Sequence, residues 1–254
     1  MNTDDPRHMD PGVTRAMLWC SAIVFFGLLF AQGYMMGFVP SHPPSLPADE
    51  LARYFVNNKA SILIGAVVLM ISWTFWIMWT VAITGFIRQT ERGMPLLTYA
   101  SLIINGGGYV FFLLIPMTWA VMAFRAATLP PAVVQIMNDW VWFDWLYTWP
   151  PFALWMVIIA VAILKDRNPS PVFPRWLAWY NVWSAVCIFP AGLIGFFKTG
   201  PFAYNGLISF WWDVAVFFGW IIIMTVMGFR AVAVQEAERS ELRRSNYGNL
   251  APAE

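Results

Sequence analysis

The sequence predicts an all-α polytopic membrane bundle: six transmembrane helices with short interfacial helices on the outer side. Three observations carry this. Hydrophobic residues make up 59% of the 254 and aromatic residues 18%, while only 11% are charged; an ordinary soluble domain carries about 25%. The mean hydropathy of +0.60 is more than one soluble core of this length can hide. The apolar residues fall into six runs, most of them at or above the roughly 20 residues that a span requires. A soluble enzyme and a disordered chain are excluded. The net charge of +1 leaves no global field for nucleic acid.

Residues 1–16 form the N-terminal tail, with Asp4, Asp5, Asp10 and Pro11. The run behind them is of spanning length and lacks a small-residue cleavage site, so it reads as a retained helix and not a signal peptide. The spans are predicted at 17–39, 62–87, 96–124, 151–164, 176–197 and 207–229, within a transmembrane domain of residues 17–233. The fourth is short, and the aromatic stretch before it supplies its outer turns. A charged tail, 234–254, continues helix six.

Orientation follows from Lys and Arg near the helix ends. One side holds Arg7, Arg15, Arg88, Arg92, Lys165, Arg167, Arg175, Arg230, Arg239, Arg243 and Arg244. The other holds Arg53, Lys59, Arg125 and Lys198. Both termini are predicted on the cytoplasmic side. The alternation of short basic loops with longer outer connections reads as three helical hairpins, a pattern any even-numbered bundle shares.

The outer connections have structure of their own. Pro40 to Pro47 is a stiff Pro-rich segment. ADELARYFV behind it is an amphipathic helix with Leu51, Tyr54 and Phe55 on one face. The segment 131–149 carries Trp140, Trp142, Trp145 and Trp149 and is predicted to lie along the interface, with Pro150-Pro151 resetting the chain into helix four.

Candidate chemistry is sparse. No His lies in a span, since His8 and His42 are both outside the apolar runs, and no H-x-x-x-H, E-x-x-H or C-x-x-C occurs. Bis-histidine haem and di-iron or copper sites therefore lack ligands, and no cofactor is expected. Cys20 and Cys187 sit in apolar runs, which argues against a disulfide framework. No intramembrane His could activate a serine.

Asp213 is the one acid predicted to lie deep, about two turns into helix six. An ionisable group there is a functional candidate by default, and a carboxylate must find a donor or stay neutral. Lys198 and Arg125 are the basic candidates at similar depth. Two readings follow: an outward-facing polar pocket around Asp213, Lys198 and Arg125, or a structural bridge from helix six to helix five, with both cations otherwise snorkelling to the interface. The stretch FFKTGPFAYNG (196–206) packs two turn signals together and predicts a tight loop. Tyr204 and Asn205 within it, and Trp212 just beyond, complete the candidate ligand-binding set.

Gly106-Gly107-Gly108, Gly33 with Gly37, and Gly192 with Gly195 are candidates for close helix packing. Pro116 and Pro190 are candidate kinks. Trp73, Trp76 and Trp79 form one stripe; Trp176, Trp179 and Trp183 form another. Such stripes line pockets for flat apolar molecules or face lipid and sister helices.

FPRW (173–176), FFKTGPFAYNG and SFWWDVAVFFGWIIIMTVM resemble a family of hydrophobic six-helix membrane proteins of actinobacteria and some proteobacteria. The resemblance is strongest over 165–230. It implies the shared fold and a place in the bacterial cytoplasmic membrane, and nothing catalytic.

The function expected is that of a non-catalytic membrane protein in the lipid bilayer. It binds a small apolar ligand (lipid, quinone, sterol or pigment-like) or serves as an accessory subunit beside a membrane-protein partner or a second copy. The alternatives are a small transporter or channel using Asp213, or an enzyme on a lipid or hydrocarbon with Asp213 and Lys198 as acid and base.

Overall fold

The computed structural model describes residues 9–248. Six helices are long and apolar enough to cross a membrane: α1 (Pro11–Met35), α3 (Lys59–Thr90), α4 (Leu96–Phe124), α5 (Pro131–Lys165), α6 (Arg175–Phe196) and α7 (Leu207–Glu241). One short helix, α2 (Ala48–Asn57), precedes α3. No strand occurs among the described residues. The architecture is the all-α bundle that the hydropathy predicts.

Every long helix except α3 and α5 is close to the span its apolar run implies. The α1 helix starts earlier, at Pro11 and not at 17, because its start is encoded by capping and not by hydropathy. Asp10 accepts from the Val13 backbone N–H at 2.8 Å, and Pro11 sits where no N–H is needed. Residues 11–16 thus belong to the first helix and not to a tail. Arg7 and His8, and the end of the C-terminal tail, lie outside the described residues. The α1 helix widens to π-helical winding from Gly27 to Met35 and stops at Gly37, whose φ of 67° suits glycine.

The segment 131–149 is helical as the interfacial reading requires, but it is not a separate connection. It joins the fourth span through a single joint at Thr148, giving 35 residues of helix in all, on the order of 50 Å at 1.5 Å per residue. Asn138 and Asp144 turn inward, whereas Val133, Ile136, Trp140, Phe143 and Tyr147 form an exposed apolar stripe. Pro150 and Pro151 occupy the first turn of the second half, where proline costs nothing. The α3 helix has a comparable joint at Phe75, whose N–H reaches back to Ser72 at 3.2 Å. In α6, winding tightens to 3₁₀ from Phe189, next to Pro190.

The bundle is apolar on its outside. On α1, Trp19, Ile23, Phe26 and Phe30 are exposed; on α3, Ile64, Val67 and Ile71. Each set follows helical spacing. Water would penalise such stripes; acyl chains would not.

Small residues set two close approaches, though not all at the predicted places. Gly27 lies against Ser72 and Gly65 against Met36, joining α1 to α3. Gly192 and Gly195 face Trp149 and Tyr147, joining α6 to α5. Of the glycine triplet in α4, only Gly108 meets a neighbour, Phe152; Gly106 and Gly107 meet none. Gly33 and Gly37 serve the end of α1 and not a helix–helix seam.

The two ends of the bundle differ. At the basic end, acids organise loops. Glu91 accepts from the Leu97 and Thr98 backbone N–H groups at 2.7 and 3.0 Å, and Asp166 accepts from those of Asn168 and Val172, both at 2.9 Å. Arg15 pairs with Glu236 across α1 and α7. The other, capped end is roofed by α2, the first half of α5 and the 197–206 loop.

Candidate functional site

Asp213 is the first residue of α7 after its π-helical turn from Leu207 to Trp212. Its side chain is 8% exposed, and its Oδ1 has no hydrogen-bond partner. It lines a partly open cavity of about 40 Å³, room for one or two waters or the head of a chain that enters from outside.

The remaining walls are apolar and mostly aromatic: Trp73 and Trp76 of α3, Phe112 of α4, Trp145, Leu146, Trp149 and Phe152 of α5, with Val24, Ile188, Phe217, Phe218 and Ile221. The rings lock one another. Trp76 lies 5.2 Å from Phe112 and 6.0 Å from both Phe152 and Phe217, and Phe112 stacks on Phe152 at 5.6 Å. Offset and edge-on rings at these separations are favourable. The indole N–H groups of Trp73 and Trp76 are also buried without partners. One free carboxylate oxygen and two unpaired donors thus belong to residues lining one cavity. Buried polar atoms normally find partners; unpaired indoles recur elsewhere in the bundle, at Trp119, Trp142 and Trp155, so it is the carboxylate that distinguishes this cavity.

Directly below, two of three buried indoles are satisfied, while the Trp155 N–H has no partner. Trp79, Trp155 and Trp220 meet edge-to-face, 5.3–5.8 Å apart. Trp79 donates to the Thr225 hydroxyl and Trp220 to the Asn181 carbonyl, each at 2.8 Å. These rings form a floor under the cavity. The two Trp stripes therefore separate: Trp73, Trp76 and Trp79 are buried, while Trp176, Trp179 and Trp183 are 51%, 66% and 46% exposed.

The predicted grouping of Asp213 with Lys198 and Arg125 does not form. Neither cation makes an ion pair or hydrogen bond with Asp213 among the described residues. Arg125 is exposed with its guanidinium over the Phe124 ring, 5.2 Å from the centroid. Lys198 is exposed, and its charge acts on Asp139. Depth along a helix placed these groups at one level; the structure turns Arg125 to the Phe124 ring and Lys198 toward Asp139.

Tyr204 is buried, but in a different cluster. Its hydroxyl donates to Asp139 Oδ1 at 2.9 Å and accepts from Asn138 at 3.4 Å. Its ring stacks on Trp142 at 5.9 Å, and its carbonyl accepts from Ser41 at 3.1 Å. Burial, reinforced by Asp139, pushes its phenol far above the usual range. Asn205 is half-buried beside it. Trp212 faces outward, 45% exposed, and donates to the Cys187 carbonyl at 3.0 Å.

Sequence reasoning missed Asp144, 8% exposed with an unpartnered Oδ2, so Asp213 is not the only deep acid. It also missed Gln32, fully buried in the π-helical part of α1 with both amide atoms unpaired. Gln32 is legible only as a polar residue within an apolar run.

Family models, curated proteins and solved structures offer no match to this chain. The site must speak for itself. A second cavity, of about 250 Å³, opens at the basic end between residues 170–174 and the Met227–Glu238 stretch of α7. Phe173 and Pro174 of the FPRW motif form part of its wall.

Proposed function

We propose that the chain is a multi-pass protein of the bacterial cytoplasmic membrane that binds a small, slender, largely apolar molecule in the Asp213 cavity. Support comes chiefly from one observation: an unpartnered carboxylate oxygen opening into an otherwise aromatic space. Burying an unpaired polar group is costly; Asp144 is buried and unpaired likewise, but of the two only Asp213 lines the cavity. At about 40 Å³ the cavity excludes a fused-ring quinone, sterol or pigment and admits only the end of a slender chain. Both termini lie on the cytoplasmic side in this reading, since Arg88, Arg92, Lys165, Arg167, Arg175 and Arg230 share the basic end.

The test uses tryptophan emission from the purified full chain, quenched by 6-bromohexanol. Trp73, Trp76, Trp145 and Trp149 line the cavity, so saturable quenching is expected. Val24→Phe, which fills the space, abolishes the saturable component and leaves the fold intact. Quenching that rises linearly, with no saturation and no response to Val24→Phe, overturns the proposal.

A further inference from the structure

We infer that the Asp213 cavity selects an organic cation, a short-chain alkylammonium, over a neutral molecule of the same shape. This deepens the ligand-binding reading above and rests on it.

Three features converge. The only ionisable side chain among the lining residues is Asp213, and its Oδ1 is left open. No Lys or Arg side chain lines the cavity, and none among the described residues pairs with Asp213. The walls are largely aromatic: Trp73, Trp76, Phe112, Trp145, Trp149 and Phe152 all line the cavity. An aromatic enclosure attracts a cation through the negative faces of the rings, most strongly where water is excluded. A neutral apolar guest would gain from the rings but leave the carboxylate unanswered. An anionic guest would be repelled by it. An alkylammonium uses both: its N–H donors meet Oδ1 in a charge-assisted bond, and its chain lies among Trp145, Leu146 and Phe152. About 40 Å³ holds a primary ammonium head, which is about the size of a water, and excludes a quaternary one, with the rest of the chain in the pocket mouth.

The same quenching assay decides, with 6-bromohexylammonium against 6-bromohexanol on the full chain in neutral detergent. The ammonium should bind at least tenfold more tightly than the alcohol. Asp213→Asn should erase that preference while the alcohol still saturates, because the apolar walls remain. Asp144→Asn, which alters a buried acid outside the cavity wall, should preserve the preference and controls for partitioning into micelles. Equal binding of the two probes, or a preference that survives Asp213→Asn, overturns the cation inference and leaves the ligand site standing. Saturable binding by neither probe overturns both.

Discussion

Two acids near the capped end have opposite fates. Asp139 on α5 is answered: the Tyr204 hydroxyl donates to it at 2.9 Å, and Lys198 acts on it from the loop. That cluster ties the 197–206 loop to α5, and Ser41 ties it to the segment before α2. Asp213 on α7 is unanswered, with no donor at its free oxygen and no cation paired with it among the described residues. A carboxylate that closes a network is explained by the network. One that opens into an aromatic space is explained by what the space accepts.

The largest test of this contrast falls on the answered side. Tyr204→Ala removes a buried ring stacked on Trp142 and should cost about 3–5 kcal/mol, the range for deleting a large core aromatic, read as unfolding in mixed micelles. Tyr204→Phe keeps the ring and strands Asp139, which should cost about 1–3 kcal/mol and loosen the loop to proteolysis. A loss within experimental error for Tyr204→Phe would break the claim that Asp139 is held there.

Tryptophans at equal spacing sharpen the contrast next. Trp76→Leu should destabilise by a few kcal/mol as a buried truncation, whereas Trp179→Leu, on the exposed stripe, should stay within about 0.5 kcal/mol. Similar losses at both would mean that the exposed stripe is covered by a partner.

The smallest expected effect is on pH. His42 packs against Tyr54 at 4.3 Å, and burial lowers its pKa below the ordinary 6.5. The unfolded imidazole therefore takes up a proton before the folded one. Stability is intact above about pH 6.5 and falls as the pH drops below it. Hydrogen exchange over residues 38–57 should quicken between pH 7.5 and 5, and His42→Phe should flatten the response.

Much of the fold was legible because oil solvation imposes length and hydropathy directly; α4 begins and ends where its apolar run does. The start of α1 was also written locally, in Asp10-Pro11, but capping signals are easily outvoted by hydropathy. The first half of α5 was harder. Asn138, Asp139 and Asp144 with Pro150-Pro151 read as an interface and a break, since nothing local reveals that the polar side chains turn inward. The partner of Asp139 is 65 residues away in sequence. Candidate site residues were legible as residue types and not as groupings. Asp213 stood out as an acid in an apolar run, yet pairing it with Lys198 and Arg125 used depth alone, and depth leaves the azimuth of each helix free. The two Trp stripes make the same point: identical periodicity, opposite faces.

The most direct measurement is the sign of the stability change for paired substitutions, Asp213→Leu and Asp139→Leu, by reversible unfolding of the ligand-free protein. An unanswered acid should be better replaced by a hydrocarbon, so Asp213→Leu should gain about 1–3 kcal/mol while Asp139→Leu loses a similar amount. A loss at Asp213 as large as that at Asp139 would show that Asp213 is held by the protein after all, and would contradict the account.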